Sequence, residues 1–189
     1  PAQVQVFLGA NVAKSGVRTS GGYLDDTWRL NRAITVSLGM RLDRYQLILP
    51  QQEGPAGQTF APIDPVLTFN NWGPRVGIST DLTGDGKTLL KVHYGRFWIY
   101  PAPIFVAAFN PNASGWSRTY QWTSDANGNS RWDPGEEGAV TAVVGGAAAT
   151  QLDPAIANAY VAQASAYLER EVMPGFGVRT GVVITTRRQ

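Results

Sequence analysis

From Ile34 to Asp43 the chain alternates without a break. Ile34, Val36, Leu38, Met40 and Leu42 fall on one parity, and Thr35, Ser37, Gly39, Arg41 and Asp43 fall on the other. Successive side chains of a strand point to opposite faces, so this run makes a strand with one apolar and one polar face. Its length matches the roughly 9 to 11 residues of a tilted bilayer-crossing strand. Soluble sheets use strands of about 5 or 6.

Neighbouring segments repeat the pattern. Leu24, Trp28 and Leu30 oppose Tyr23, Asp25, Thr27 and Arg29, with Asp26 interrupting the apolar side. Val76, Ile78 and Leu82 share a parity, as do Leu90, Val92, Tyr94 and Trp98, and later Val178, Val182 and Ile184. The spacing predicts strands near 3–11, 19–30, 33–49, 74–82, 87–100, 158–172 and 177–187. Asp153-Pro154-Ala155 has the form of an N-cap with proline at the first helical position. It predicts a brief helical turn near 153–157, ahead of a strand with Ala164, Ala166 and Leu168 on its outer face.

The connections carry a polarity. Asn31-Arg32, Thr83-Gly84-Asp85-Gly86 and Met173-Pro174-Gly175-Phe176 are tight, whereas 50–73 and 101–156 are long. In an antiparallel meander this order gathers the tight turns at one end. Bacterial outer-membrane barrels have short periplasmic turns and long extracellular loops. The expected fold is therefore all-β: an antiparallel meander of about seven strands forming part of a transmembrane β-barrel, its sheet open in this chain. A start at Pro1 without Met and an end at Gln189, just after a strand-like run, suit a fragment. Trp28 beside a tight turn, and Phe97, Trp98 and Tyr100 at the far end of their strand, suit two aromatic girdles.

Composition removes several functions. With 16% charged residues, 21 Gly and 12 Pro, the chain is poor in charge and rich in turn formers. There is no Cys, hence no disulfide and no thiolate metal site. A formal charge of +2, with arginines scattered along the chain, gives no basic cluster to follow a phosphate backbone, so nucleic acid is not an expected partner. One His and no Ser-His-acid set leave no catalytic constellation, and no enzymatic activity is expected. No apolar run is long enough for a transmembrane helix, although strands span lipid with a weaker signal.

One loop holds a sharper motif. In the segment from Asp125 to Glu136, oxygen side chains stand at Asp125, Asn127, Asn129, Asp133 and Glu136, and Arg131 offers a backbone carbonyl. That is the spacing of a calcium loop of the EF-hand type, in which hard oxygen ligands wrap a hard cation. Ser130 stands where such loops have Gly, and Pro134 prevents a standard helix from following. Calcium is thus a possible ligand, weakly bound at about 0.1 to 1 mM. No other cofactor is expected. The plainer alternative is an Asx-rich surface turn.

Arg41, Asp43, Arg75, Asp81, Lys91, His93, Glu169 and Arg179 share the polar side of their strands, the expected lumen side of a barrel. Gly77 and Gly181 on that side suggest space for another surface to approach.

Gly22-Tyr23-Leu24-Asp25-Asp26-Thr27-Trp28-Arg29-Leu30 followed by residues 34–43 resembles the barrel of TonB-dependent outer-membrane receptors. Pro74 to Ser79, Asp81 to Thr88, Tyr94-Gly95-Arg96-Phe97 and Leu168-Glu169-Arg170-Glu171 are similar to further segments of that barrel. The likeness is nearest to receptors with a carboxypeptidase-regulatory-like N-terminal domain. It implies a barrel of about 22 strands around a plug. It also implies uptake of a scarce extracellular ligand, driven by an inner-membrane energy-transducing complex, and location in the bacterial outer membrane. The implied partners are membrane lipid, the plug and remaining barrel, an extracellular ligand and that complex. Two rival readings are a non-transporting outer-membrane binding or structural barrel and a secreted, calcium-stabilised β-sandwich that binds sugars.

Overall fold

Alternation becomes strand along most of the chain. The computed structural model describes residues 2–9, 12–113, 115–146, 152–153 and 155–188. In order these form β1 (Ala2–Phe7), β2 (Gly16–Arg29), β3 (Ile34–Leu49), β4 (Gln52–Glu53), β5 (Thr59–Phe60), β6 (Ile63–Asp81), β7 (Thr88–Trp98), α1 (Ile104–Ala107), β8 (Ser117–Trp122), β9 (Glu137–Val144), β10 (Tyr160–Met173) and β11 (Phe176–Arg188). Six strands make an open sheet in the order β11-β10-β7-β6-β3-β2. Chain neighbours pair throughout, apart from excursions between β3 and β6 and between β7 and β10. The fold is the all-β antiparallel meander that the alternation predicts.

Two compact units divide the chain. One comprises Thr19–Tyr45, Thr68–Pro101 and Ala155–Gln189, and the other Pro1–Arg18, Gln46–Leu67 and Ala102–Pro154.

In the first unit the sheet exposes its apolar stripe. Leu24 is 77% exposed, Ile78 42% and Ile184 62%. Among its described residues, Phe69 is the only large apolar side chain that is buried. Such a sheet has no soluble core of its own. Its hairpins follow from turn chemistry. Asn31 Oδ1 accepts N–H bonds from Ala33 and Ile34, both at 2.8 Å. Between β10 and β11, Met173 pairs with Phe176 across Pro174-Gly175, where Gly175 takes a φ of 78°. Proline presets the first central residue of this turn, and glycine carries the left-handed second.

The other unit packs around Leu47, Leu49, Val106 and Trp116, all buried. Its sheet runs β1-β8-β9, with β1 laid antiparallel on β8 from Ala2 opposite Trp122 to Phe7 opposite Ser117. β4 and β5 form a small hairpin.

Three expectations change. The strand expected at 3–11 ends at Phe7 and pairs with β8, outside the main sheet, because alternation marks a strand without naming its partner. The segments 50–73 and 101–156 carry elements of their own: β4, β5 and the start of β6 at Ile63 lie in the first, and α1, β8 and β9 lie in the second. Between 63 and 73 apolar residues occur on both parities, as Val66 and Trp72 on one side and Leu67 and Phe69 on the other, so the amphipathic signal vanishes although the strand continues. No helix forms among residues 155–159, where the chain is instead held by Asn158 donating to the Ile99 carbonyl at 3.0 Å; Pro154 lies outside the described residues.

Candidate functional site

On the polar face of the main sheet the charged side chains are sorted into groups. Lys91 Nζ lies 2.7 Å from Glu169 Oε2, and Arg179 Nε 3.4 Å from Glu169 Oε1, so one carboxylate joins β7, β10 and β11. Arg179 also stacks 4.1 Å above the Tyr167 ring. Arg41 pairs with Asp43 two residues along β3, at 2.8 Å. Arg75 sits 5.1 Å from the centre of the Phe97 ring. A hollow of about 330 Å³ is lined by Asp25, Thr27, Ser37, Arg75, His93 and Gln163 among others. It offers donors and acceptors of both charge types.

Asp81 belongs elsewhere. Its carboxylate accepts N–H bonds from Thr83 at 3.2 Å, Gly84 at 3.0 Å and Gly86 at 2.7 Å, and so fastens the β6–β7 turn. In that turn the Thr83 hydroxyl and the Lys87 N–H hold the Asp85 carboxyl below the ordinary carboxylate range. Nor do the glycines leave space. The ring of His93 and the hydroxyl of Ser37 occupy the volume beside Gly77, and the Tyr167 ring lies over Gly181. The glycines make room for neighbours within the sheet, which corrects the expectation of an approaching surface.

In the second unit the 125–136 loop is wound on its own carboxylates. Asp125 accepts from Asn129 N at 3.1 Å and Ser130 N at 2.8 Å. Asn129 Oδ1 accepts from Arg131 N at 2.7 Å. Asp133 Oδ2 receives the amides of Asn127 and Asn129, each at 2.7 Å, and these two bonds depress its pKa. Buried Glu136 takes three donors: Ala126 N at 2.9 Å, and Trp122 Nε1 and Asp133 N at 3.2 Å. Ser130 adopts a φ of 60°, the left-handed conformation for which a calcium loop uses Gly. Among the described residues no three His, Asp or Glu side chains converge on a metal position. The calcium-type set counted in the sequence combines the carboxylates of Asp125, Asp133 and Glu136 with the Asn127 and Asn129 oxygens and the Arg131 carbonyl.

Sequence reasoning missed a buried amide cluster in this unit. Asn110 and Gln52 exchange hydrogen bonds at 3.2 Å. Gln52 Oε1 accepts from Lys14 N at 2.7 Å, and Asn110 donates to the Lys14 carbonyl at 2.9 Å. Asn112 donates to the carbonyls of Val12 and Glu53. Isolated Asn and Gln in loop-like sequence carry no periodic signal.

A sheet that is apolar and exposed on one face, charged and paired on the other, and turned tightly at one end is the geometry of a membrane barrel wall. The family described as outer membrane beta barrel domain matches residues 1–184. The chain belongs to that family. This outer-membrane barrel chain is 31% identical over 87 residues to the TonB-dependent transporter Oar of Myxococcus xanthus. The match covers 46% of this chain and 7% of the relative, so the chain spans a small part of the relative's length. No solved structure matches. The barrel domain resides in the bacterial outer membrane. Its exposed apolar face therefore meets lipid, and Trp28 and Trp98 belong to that face. Phe97, expected in a girdle, lies on the opposite face over Arg75 and Gly95. The secreted β-sandwich alternative falls with this membership.

Proposed function

We propose that this barrel chain is a wall segment of a TonB-dependent-receptor-like transporter, of the type with a carboxypeptidase-regulatory-like N-terminal domain, that takes up a scarce extracellular ligand. The observation that carries the reading is the two-faced sheet with short turns gathered at one end. A relative named as a TonB-dependent transporter supports it. In this reading Arg41, Asp43, Arg75, Lys91, His93, Glu169 and Arg179 face the lumen, where they meet water and a plug domain. Asp81 stands at the periplasmic rim. The long connections 50–73 and 101–156 lie on the extracellular side and capture the ligand. An inner-membrane complex acting on the plug supplies the energy, and no covalent bond of the ligand is made or broken.

Deleting the gene and, separately, disabling the energy-transducing complex tests this. The reading expects the same growth defect under nutrient scarcity from both deletions, without an additive effect when they are combined. A defect that persists unchanged in cells already lacking the complex would replace transport with a binding or structural barrel.

A further inference from the structure

We propose that Arg96 and Arg188, set around Tyr160 and Trp98 on the lipid-facing side of the sheet, hold the phosphate of an outer-leaflet lipid headgroup. This goes beyond the transport reading and rests only on membership in the barrel family. Arg96 has the parity of Leu90, Val92 and Tyr94, the apolar side of β7. In the ladder Trp98 pairs with Tyr160, Tyr160 with Arg188, and Arg96 with Ala162. The four side chains thus share one patch across three adjacent strands.

The patch is built and its charge is unspent. Arg96 lies 4.6 Å from the centre of the Tyr160 ring and 6.0 Å from that of Trp98, and the two rings are 5.0 Å apart. Trp98 Nε1 donates to the Trp72 carbonyl at 2.8 Å, which fixes the indole. Among the described residues neither arginine has a carboxylate partner. Arg96 Nε is buried without a hydrogen bond. Asp26, an acid of the same apolar parity, stands near the opposite end of its strand, beside the 30–33 turn.

Position selects the ligand. Arginine on a lipid-facing strand is costly at mid-bilayer and tolerated near the interface. Arg96 is two residues from the end of β7, and Tyr160 begins β10. A guanidinium over aromatic rings still carries N–H donors in its own plane, and two such donors match two oxygens of a phosphate. At the rim of a lipid-facing wall the anion in reach is a headgroup phosphate.

Native mass spectrometry of the intact protein in neutral detergent tests the proposal, with phosphatidylglycerol and diacylglycerol, which lacks the phosphate, as probes. Wild type is expected to retain phosphatidylglycerol preferentially. Retention should weaken about fivefold for each of Arg96→Gln and Arg188→Gln. The charge-conserving pair Arg96→Lys and Arg188→Lys should keep most of the preference, and this comparison stands even if the glutamine variants fold poorly. Equal retention of the two lipids by wild type would overturn the proposal. So would full retention by the folded double glutamine variant. Displacement of the lipid by inorganic phosphate at matched concentration would assign the site to a soluble anion and refute the lipid.

Discussion

Lys91 on β7 and Glu169 on β10 meet at 2.7 Å although they are not opposite each other; Tyr167 stands opposite Lys91, and Arg179 stands opposite Glu169. The ion pair is therefore the diagonal one. It leaves the directly opposed place to Arg179, which also covers the Tyr167 ring. Solvent-facing ion pairs contribute little to stability. Glu169→Gln is accordingly expected to leave the yield of folded barrel unchanged. Glu169→Arg should lower it, because three cations would then share one small area. Circular dichroism and heat-dependent gel mobility of both variants in detergent check this, and equal yields would show that the group plays no part in assembling the sheet.

The amide cluster makes a stronger claim on stability. Asn110 is 2% exposed and is bonded to Gln52, to the Lys14 carbonyl and to Asn112 N. Replacing it with Ala strands buried donors and acceptors, at a cost of about 1 to 3 kcal/mol for a group left unpaired. Asn110→Ala should therefore loosen the unit containing 102–154 selectively. Hydrogen exchange should rise at Val12 to Lys14 and Gln52 to Glu53, while amides of β10 and β11 keep their protection. Uniform loss of protection across the chain would show that the two units do not open separately.

The main sheet was legible because one of its faces is apolar. Ile34–Asp43 could be placed from parity alone, and the turns at 31, 83–86 and 174–175 carry Asn, Gly and Pro in positions with a local mechanism. Where that logic lapses, reading lapses too. Residues 63–73 belong to β6, yet Val66 and Leu67 point opposite ways. Asp81 has the parity of a lumen charge, but its carboxylate is spent on the turn that follows. Gly77 and Gly181 looked like open space because a sequence does not show that His93 and Tyr167 fold over them. Arg96 broke the apolar parity of β7 in plain sight; its meaning depended on Tyr160, 64 positions away and adjacent only through the ladder.

Lipid contact of the apolar face can be read from tryptophan. Trp28 is 46% exposed on that face, whereas Trp116 is 4% exposed, packed against Phe60 with ring centres 6.0 Å apart. In vesicles containing brominated lipid, the quenched fraction of fluorescence should fall for Trp28→Phe and Trp98→Phe. It should rise for Trp116→Phe, which removes an unquenched emitter. No change with Trp28→Phe or Trp98→Phe would contradict the assignment of the faces.

The 125–136 loop yields a paired prediction in acid and in calcium. Hydrogen bonds from Asn127 and Asn129 favour the ionised form of Asp133 and depress its pKa. A carboxyl depressed in the folded state stabilises at pH values above its unfolded value, about 3.9. That contribution disappears as the pH falls through the lower folded value. The order that Asp133 gives the loop should therefore persist through mild acid and be lost only below the ordinary carboxylate range, with Trp132 fluorescence as the reporter. Asp133→Asn should remove this part of the acid dependence. Calcium, proposed from the spacing of Asp125, Asn127, Asn129, Arg131, Asp133 and Glu136, must compete with the same N–H donors. Titration to about 1 mM, the range of weak extracellular sites, should shift the fluorescence of Trp122, whose Nε1 rests on Glu136. The acid step should move to still lower pH with calcium present, since the ion binds only the ionised carboxylates. An unchanged acid step with calcium added would leave the carboxylates to their N–H partners alone and remove the ion.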